Sequence, residues 1–166
     1  VVLFVGRLVD GKRPQDAIDA VSRLPDSLNA KLYVVGNGPL RPELDSENGV
    51  KFIGQVPYDE MPAIYGSGDV LLLPSRAEGL PRTVLEAMAS GIPVVVSALE
   101  QVTPVVGGAG ITVTVGDIDG FAAGIETVLR SSFKAPRTVV EREFDWSETV
   151  EQTTEALAEL TCTSDR

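Results

Sequence analysis

Short, almost wholly apolar runs alternate along the chain with stretches whose apolar residues recur at helical spacing. The run at 1–5 predicts a strand, and 15–24 predicts a helix opened by Pro14 in its first turn. Residues 31–36 predict a second strand, 40–45 a short helix and 50–53 a third strand. Helix is expected over 60–65, followed by an apolar strand at 69–73. A helix over 82–90 and a strand over 93–97 come next, then a last short strand at 111–115. Further helices are expected near 118–130, 137–142 and 147–160.

Strands without a polar face are buried on both sides, which requires a parallel sheet covered by helices. Strand–helix alternation with short links predicts an α/β fold, a doubly wound Rossmann-like parallel sheet of about six strands. There is no repeat, linker or low-complexity segment, so residues 1–166 read as one domain. In such sheets ligands lie beyond the carboxyl ends of the strands. That singles out the loops at 6–13, 36–39, 54–58, 74–81 and 97–110.

With 166 residues, 43% hydrophobic content and a mean hydropathy of +0.12, a packed globule is expected. No apolar run approaches the ~20 residues that a bilayer crossing needs, and no secretory leader is visible. Val1 already lies in a strand-like run, so either a missing true N-terminus or an excised domain is expected. The single cysteine, Cys162, has no partner within the chain, and a reducing cytoplasm is the expected location. The absence of histidine removes Ser-His and Cys-His nucleophilic systems and His-ligated metals from these residues.

Charge narrows the partners. The net charge is −10, from 24 acidic and 14 basic residues, which opposes nucleic acid and anionic membrane surfaces. Lysine occurs only at Lys12, Lys31, Lys51 and Lys134. An acidic, lysine-poor surface suits a salt-rich cytoplasm, where screening tolerates self-repulsion, and equally an ordinary acidic exterior.

Loop 6–13 reads Gly6-Arg7-Leu8-Val9-Asp10-Gly11-Lys12-Arg13, formally a phosphate-loop spacing. Arg13 stands where a hydroxyl should hold Mg²⁺, and Leu8 and Val9 are too bulky to wrap an anion, so a P-loop NTPase is rejected. What remains is Arg7 and Lys12 between a strand end and a helix start. A guanidinium fork and a point-charge ammonium there suit a diphosphate, while the residues alone fit a solvated loop as well. The pairs Gly36/Gly38, Gly66/Gly68 and Gly108/Gly110 lack the third glycine of a dinucleotide site, and 36–39 reads as a turn. Asp117 and Asp119 form a D-x-D triplet, but they precede a helix and are favoured as caps over a metal site.

Segment 74–97 carries most information. Pro81 suits a first helical position, which puts Glu78 in the preceding loop and Glu86 on the helix. Arg82, Thr83, Glu86 and Ser90 fall on one polar stripe, an ordinary solvated face, and Glu78 alone could simply favour a helix start. Carboxylates also accept paired hydrogen bonds from vicinal sugar hydroxyls, which makes a sugar site chemically coherent.

The segment resembles the E-x7-E signature of retaining glycosyltransferases with the GT-B fold, specifically the group 1 family. VGRLVDGK, VKFIGQVP, AIYGSGDVLLLPS, EGLPRTVLEAMASGIPVVVS, GAGITV and GDIDG occur in the order of that family's C-terminal domain. Asp145-Trp146-Ser147 is similar to its closing segment. The resemblance implies transfer of a sugar from a nucleoside diphosphate sugar with retention, without a metal and with no cofactor beyond that donor. It places Arg7 and Lys12 on the donor diphosphate, Glu78 on the transferred sugar and Glu86 on the ribose. Gly54 and its neighbours fall on the base, and Gly6, Gly79, Leu80 and Arg82 complete the implied donor contacts. The implied partner is an N-terminal acceptor domain outside these residues. The chain departs from the pattern at Pro81, where a glycine is usual, and at 98–106, which lacks a Gly-Gly-x-x-Glu run. A GT-B nucleotide-sugar epimerase and a module that binds without transferring are the two other readings.

The charge pattern yields a first test. If the acidic surface is adapted to salt, the melting temperature rises from low to molar KCl and not with sucrose; a flat or falling curve removes the halophile reading.

Overall fold

The computed structural model describes residues 1–44, 49–131, 133, 136–144, 150 and 154. The apolar runs are strands: β1 (Val2–Val5), β2 (Leu32–Val35), β3 (Val50–Gly54), β4 (Val70–Leu73), β5 (Val94–Ser97) and β6 (Gly110–Val113). Valine dominates them, and its β-branched side chain packs well on a pleated surface covered from both sides. All pairings are parallel, in the order β3-β2-β1-β4-β5-β6. The expected doubly wound sheet is therefore what forms.

Strand alternation sorts the core into two layers. Val2 and Phe4 face the layer that holds Ala17 and Ile18 of α1 (Pro14–Ser22) and Phe121 and Ile125 of α5 (Ile118–Arg130). Leu3 and Val5 face the other, with Met61 and Tyr65 of α2 (Met61–Gly66) and Val84 and Met88 of α3 (Arg82–Ala89). Each large apolar side chain buried in these layers contributes about 1.5–3 kcal/mol. Val139 and Val140 of α6 (Pro136–Glu143) pack against the second layer.

Some boundaries differ from expectation. The helix expected at 40–45 is a single 3₁₀ turn, Arg41–Glu43, with residue 45 outside the described residues. The helix at 60–65 begins as a 3₁₀ turn, Tyr58–Glu60, that runs into α2. The last strand starts at Gly110 and ends at Val113, not 111–115; a Cβ at position 110 would collide with the Val94 carbonyl oxygen. Loop 97–110 contains a further helix, α4 (Thr103–Val106), which turns Val105 and Val106 into the core. One turn is too short to show a period in sequence. The expected helix at 147–160, the Asp145-Trp146-Ser147 segment and Cys162 fall outside the described residues, apart from residues 150 and 154.

Beyond its last strand residue, β1 stays close to β2. Gly6 N donates to Val35 O at 2.9 Å, Leu8 N to Asn37 O at 3.0 Å and Leu40 N to Leu8 O at 3.2 Å. Cβ atoms at Gly36 and Gly38 would strike the carbonyl oxygens of Gly6 and Leu8, and Gly36 has φ +128°. The pair is thus a contact between two backbones and not a dinucleotide fingerprint; the expected turn comes later, with Arg41 N donating to Gly38 O at 3.1 Å. Gly36→Ala is expected to cost about 2 kcal/mol or more and to lower the melting temperature by several degrees. Gly66→Ala, in a helix with open space at the Cβ position, should leave stability unchanged or raise it by up to ~1 kcal/mol.

Candidate functional site

Loop 6–13 leaves β1 toward α1, anchored by Leu8, which is fully buried. A 3₁₀ turn, Asp10–Lys12, follows, with Lys12 N donating to Val9 O at 2.9 Å and Arg13 N to Asp10 O at 3.1 Å. Arg13 then takes a left-handed conformation, φ 50° and ψ 54°. That turn sends Arg13 back onto α1, where its Nε donates to the buried Asp16 carboxylate at 2.6 Å. Asp16 in the first turn of α1 also meets the positive end of the helix dipole. Lys12 points the other way, toward loop 74–81.

The two loops are held together at two points. Arg76 N donates to Gly11 O at 2.8 Å. Lys12 Nζ donates to both oxygens of Glu78, at 2.6 and 2.8 Å. The Glu78 side chain is 9% exposed and that of Lys12 28%. Residues whose sequence contexts suggested separate contacts, one to phosphate and one to sugar, therefore form one chelated ion pair.

Pro81 stands one position before α3, with φ −80° and ψ 78°; its ψ is not helical, so the helix begins at Arg82. Glu78 nevertheless lies in the loop and Glu86 on the helix. Val84, Ala87 and Met88 face the core, while Arg82 and Ser90 are exposed. Glu86 is half-buried and is more than one position of a solvated stripe: Oε2 accepts from the Tyr65 hydroxyl at 2.8 Å. Burial first, then the hydrogen bond and the negative charge of Glu86, push the Tyr65 hydroxyl well above its ordinary pKa. Tyr65 thus stays a proton donor to Glu86 across the physiological range.

Two hollows flank Met61, one at this end of the sheet and one between α2 and α3. One, of about 430 Å³, is lined at the ends of β1, β2 and β3 by Gly6, Arg7, Gly36, Gln55, Val56 and Met61, among others. Arg7 is exposed there and has no ion-pair partner among the described residues. Gly54 sits at the start of the loop, with φ +83° and its carbonyl accepting from Gly36 N at 2.7 Å. The second hollow, about 220 Å³, is lined by Tyr58, Met61, Tyr65, Glu86 and Ser90, among others. Met61 is the wall common to both. Gly79 has open space around it and Leu80 is 64% exposed, so both lie at the surface of loop 74–81.

The fold therefore gathers Lys12 and Glu78 at one point, with Gly6 against the Lys12 stem, Gly6 and Arg7 at the wall of the 430 Å³ hollow, and Glu86 at the smaller one. Tyr58, Met61 and Tyr65 were missed as site residues. Their spacing places them on one face of a helical segment, which was the signal available. A larger hollow, about 480 Å³, includes Ser22, Asp26, Asn29 and Gly49. It lies at the amino ends of β2 and β3, the wrong end for ligands in such sheets. Asp117 Oδ1 accepts from Gly120 N at 2.9 Å, the cap interaction expected for it, and Asp119 pairs with Arg23 at 2.6 Å. No described helix is long and apolar enough to cross a membrane.

Comparison with known proteins identifies the family and the fold. The profile described as "Glycosyl transferases group 1" matches residues 1–131. An uncharacterized glycosyltransferase of Methanocaldococcus jannaschii is 35% identical over 138 residues, covering 78% of this chain and 35% of that protein. A D-inositol 3-phosphate glycosyltransferase of Corynebacterium glutamicum is 32% identical over 181 residues, covering 92% of this chain and 41% of that protein. Among solved structures, Anabaena HepE in complex with UDP superposes with a TM-score of 0.83 at 24% identity. That match covers 95% of this chain and 48% of HepE, a likeness of fold. The chain thus spans less than half the length of each of these relatives.

The Tyr65–Glu86 bond gives a direct test. Tyr65→Phe should destabilise the fold by about 1.5–3 kcal/mol, the range for a hydrogen bond to a charged group. Urea unfolding measures it; a loss near zero would return Glu86 to the solvated stripe.

Proposed function

The chain belongs to the group 1 glycosyl transferases, and from that premise we propose that it is the donor-binding domain of a retaining glycosyltransferase. Its donor is a nucleoside diphosphate sugar. The observation that carries the reading is the meeting of loops 6–13 and 74–81, which places Lys12 against Glu78 at the carboxyl edge of the sheet. Arg7 brings a second cation to the adjoining hollow. UDP is the ligand named for HepE, whose fold this chain shares.

In the proposed reaction the bond from the anomeric carbon to the diphosphate breaks, and a bond from an acceptor hydroxyl oxygen forms on the same face. The leaving diphosphate takes the electron pair, and the proton lost by the acceptor hydroxyl passes to a diphosphate oxygen. Arg7 and Lys12 meet that developing negative charge, and their effect grows as the bond lengthens, which is what lowers a barrier. Glu78 orients the sugar through its hydroxyls, Glu86 holds the ribose, and Gly54 with Gln55 and Val56 borders the base. Gly6, Gly79, Leu80 and Arg82 line the same donor path. No cofactor besides the donor enters this scheme. An acceptor domain outside these residues completes the site by excluding water, so these 166 residues alone should bind donor and transfer little.

Calorimetric titration with UDP and with uridine tests the phosphate assignment. Arg7→Ala should weaken UDP by roughly 10- to 150-fold, the loss of one charge-assisted hydrogen bond, and leave uridine unchanged. Glu86→Gln should weaken both ligands. Unchanged UDP affinity in the Arg7 variant would remove Arg7 from the diphosphate.

A further inference from the structure

Lys12 and Glu78 are oppositely charged, and each satisfies the other. The ammonium donates to both carboxylate oxygens, and with Glu78 nearly buried the pair is screened less than a surface pair. A diphosphate arriving at Lys12 meets a neutral pair with a carboxylate in the place an anion would take. Carboxylate and phosphate then compete for one ammonium. The loops themselves do not have to move, because the Arg76 N to Gly11 O bond fixes their spacing. The lysine stem has four rotatable carbons, enough to swing Nζ between two anions.

We propose that Glu78 is an internal competitor of the diphosphate, holding Lys12 in a pair that the donor must open. Opening it releases both Glu78 oxygens for the hydroxyls of the sugar. Glu78 then reads the sugar only after the diphosphate has engaged Lys12, so occupancy of one subsite is a condition for the other. This rests on the reading of Lys12 as a diphosphate ligand. The contrary view, that Glu78 merely props Lys12 in a favourable position for phosphate, predicts an effect of opposite sign.

The experiment titrates UDP and uridine against the unaltered chain, Glu78→Gln, Lys12→Ala and the double variant. Thermal melting of each establishes that it is folded. Glu78→Gln keeps shape and removes the competing charge, so UDP should bind about fivefold tighter while uridine is unaffected. Lys12→Ala should weaken UDP, and in that background most of the gain from Glu78→Gln should vanish. An equal gain in both backgrounds would show that the carboxylate acts on the phosphate directly and not through Lys12, overturning the proposal. Weaker or unchanged UDP binding by Glu78→Gln, with Lys12→Ala also weaker, would overturn it and leave the phosphate assignment standing. Unchanged UDP binding by Lys12→Ala would instead remove the phosphate assignment, and the proposal with it.

Discussion

Where β1 and β4 lie side by side, one strand hands the chain to α1 on one face of the sheet and the other to α3 on the opposite face. Their loops leave in opposite directions at the carboxyl edge, the place where such sheets bind ligands. The site chemistry depends on that divergence being held in check. A single backbone bond between Gly11 and Arg76 and the Lys12–Glu78 pair do so. Glycine at 36 and 38 serves the same end from the neighbouring strand, letting the backbone after β2 press on that of loop 6–13.

The architecture was largely legible in the sequence because burial on both sides leaves a coarse mark, runs such as Val70–Leu73 with no polar residue. What escaped was short or non-local. The one-turn α4 has no period to read, and Pro81 is compatible both with a first helical position and with the residue before it. At the candidate site, loops 6–13 and 74–81 could be picked out as ligand loops from strand ends alone. The pairing of Lys12 with Glu78 could not, since it links residues far apart along the chain through a contact that no local pattern encodes. The Tyr65–Glu86 bond was hidden for the same reason, its two residues lying on different helices.

Glu86 illustrates how one position can serve two interpretations. Its spacing with Arg82 and Ser90 marks a solvated helix face, and both neighbours are indeed exposed. Its carboxylate nonetheless takes a hydrogen bond from a buried phenol, which fixes the direction of its oxygens. In the proposed function an acid so oriented would meet the ribose hydroxyls with less rotamer freedom left to lose.

The pairing of Val2 with Val70 is also the least local contact of the sheet. β1, β2 and β3 succeed one another in sequence, as do β4, β5 and β6, so each half of the sheet can assemble from contacts of moderate separation. The junction of the halves joins the most distant neighbours, and closing it carries the largest loop-entropy cost. The Gly11–Arg76 bond and the Lys12–Glu78 pair bridge that same seam. A ligand bound across it favours only chains in which the seam has closed, and so adds its binding energy to the least local part of the fold.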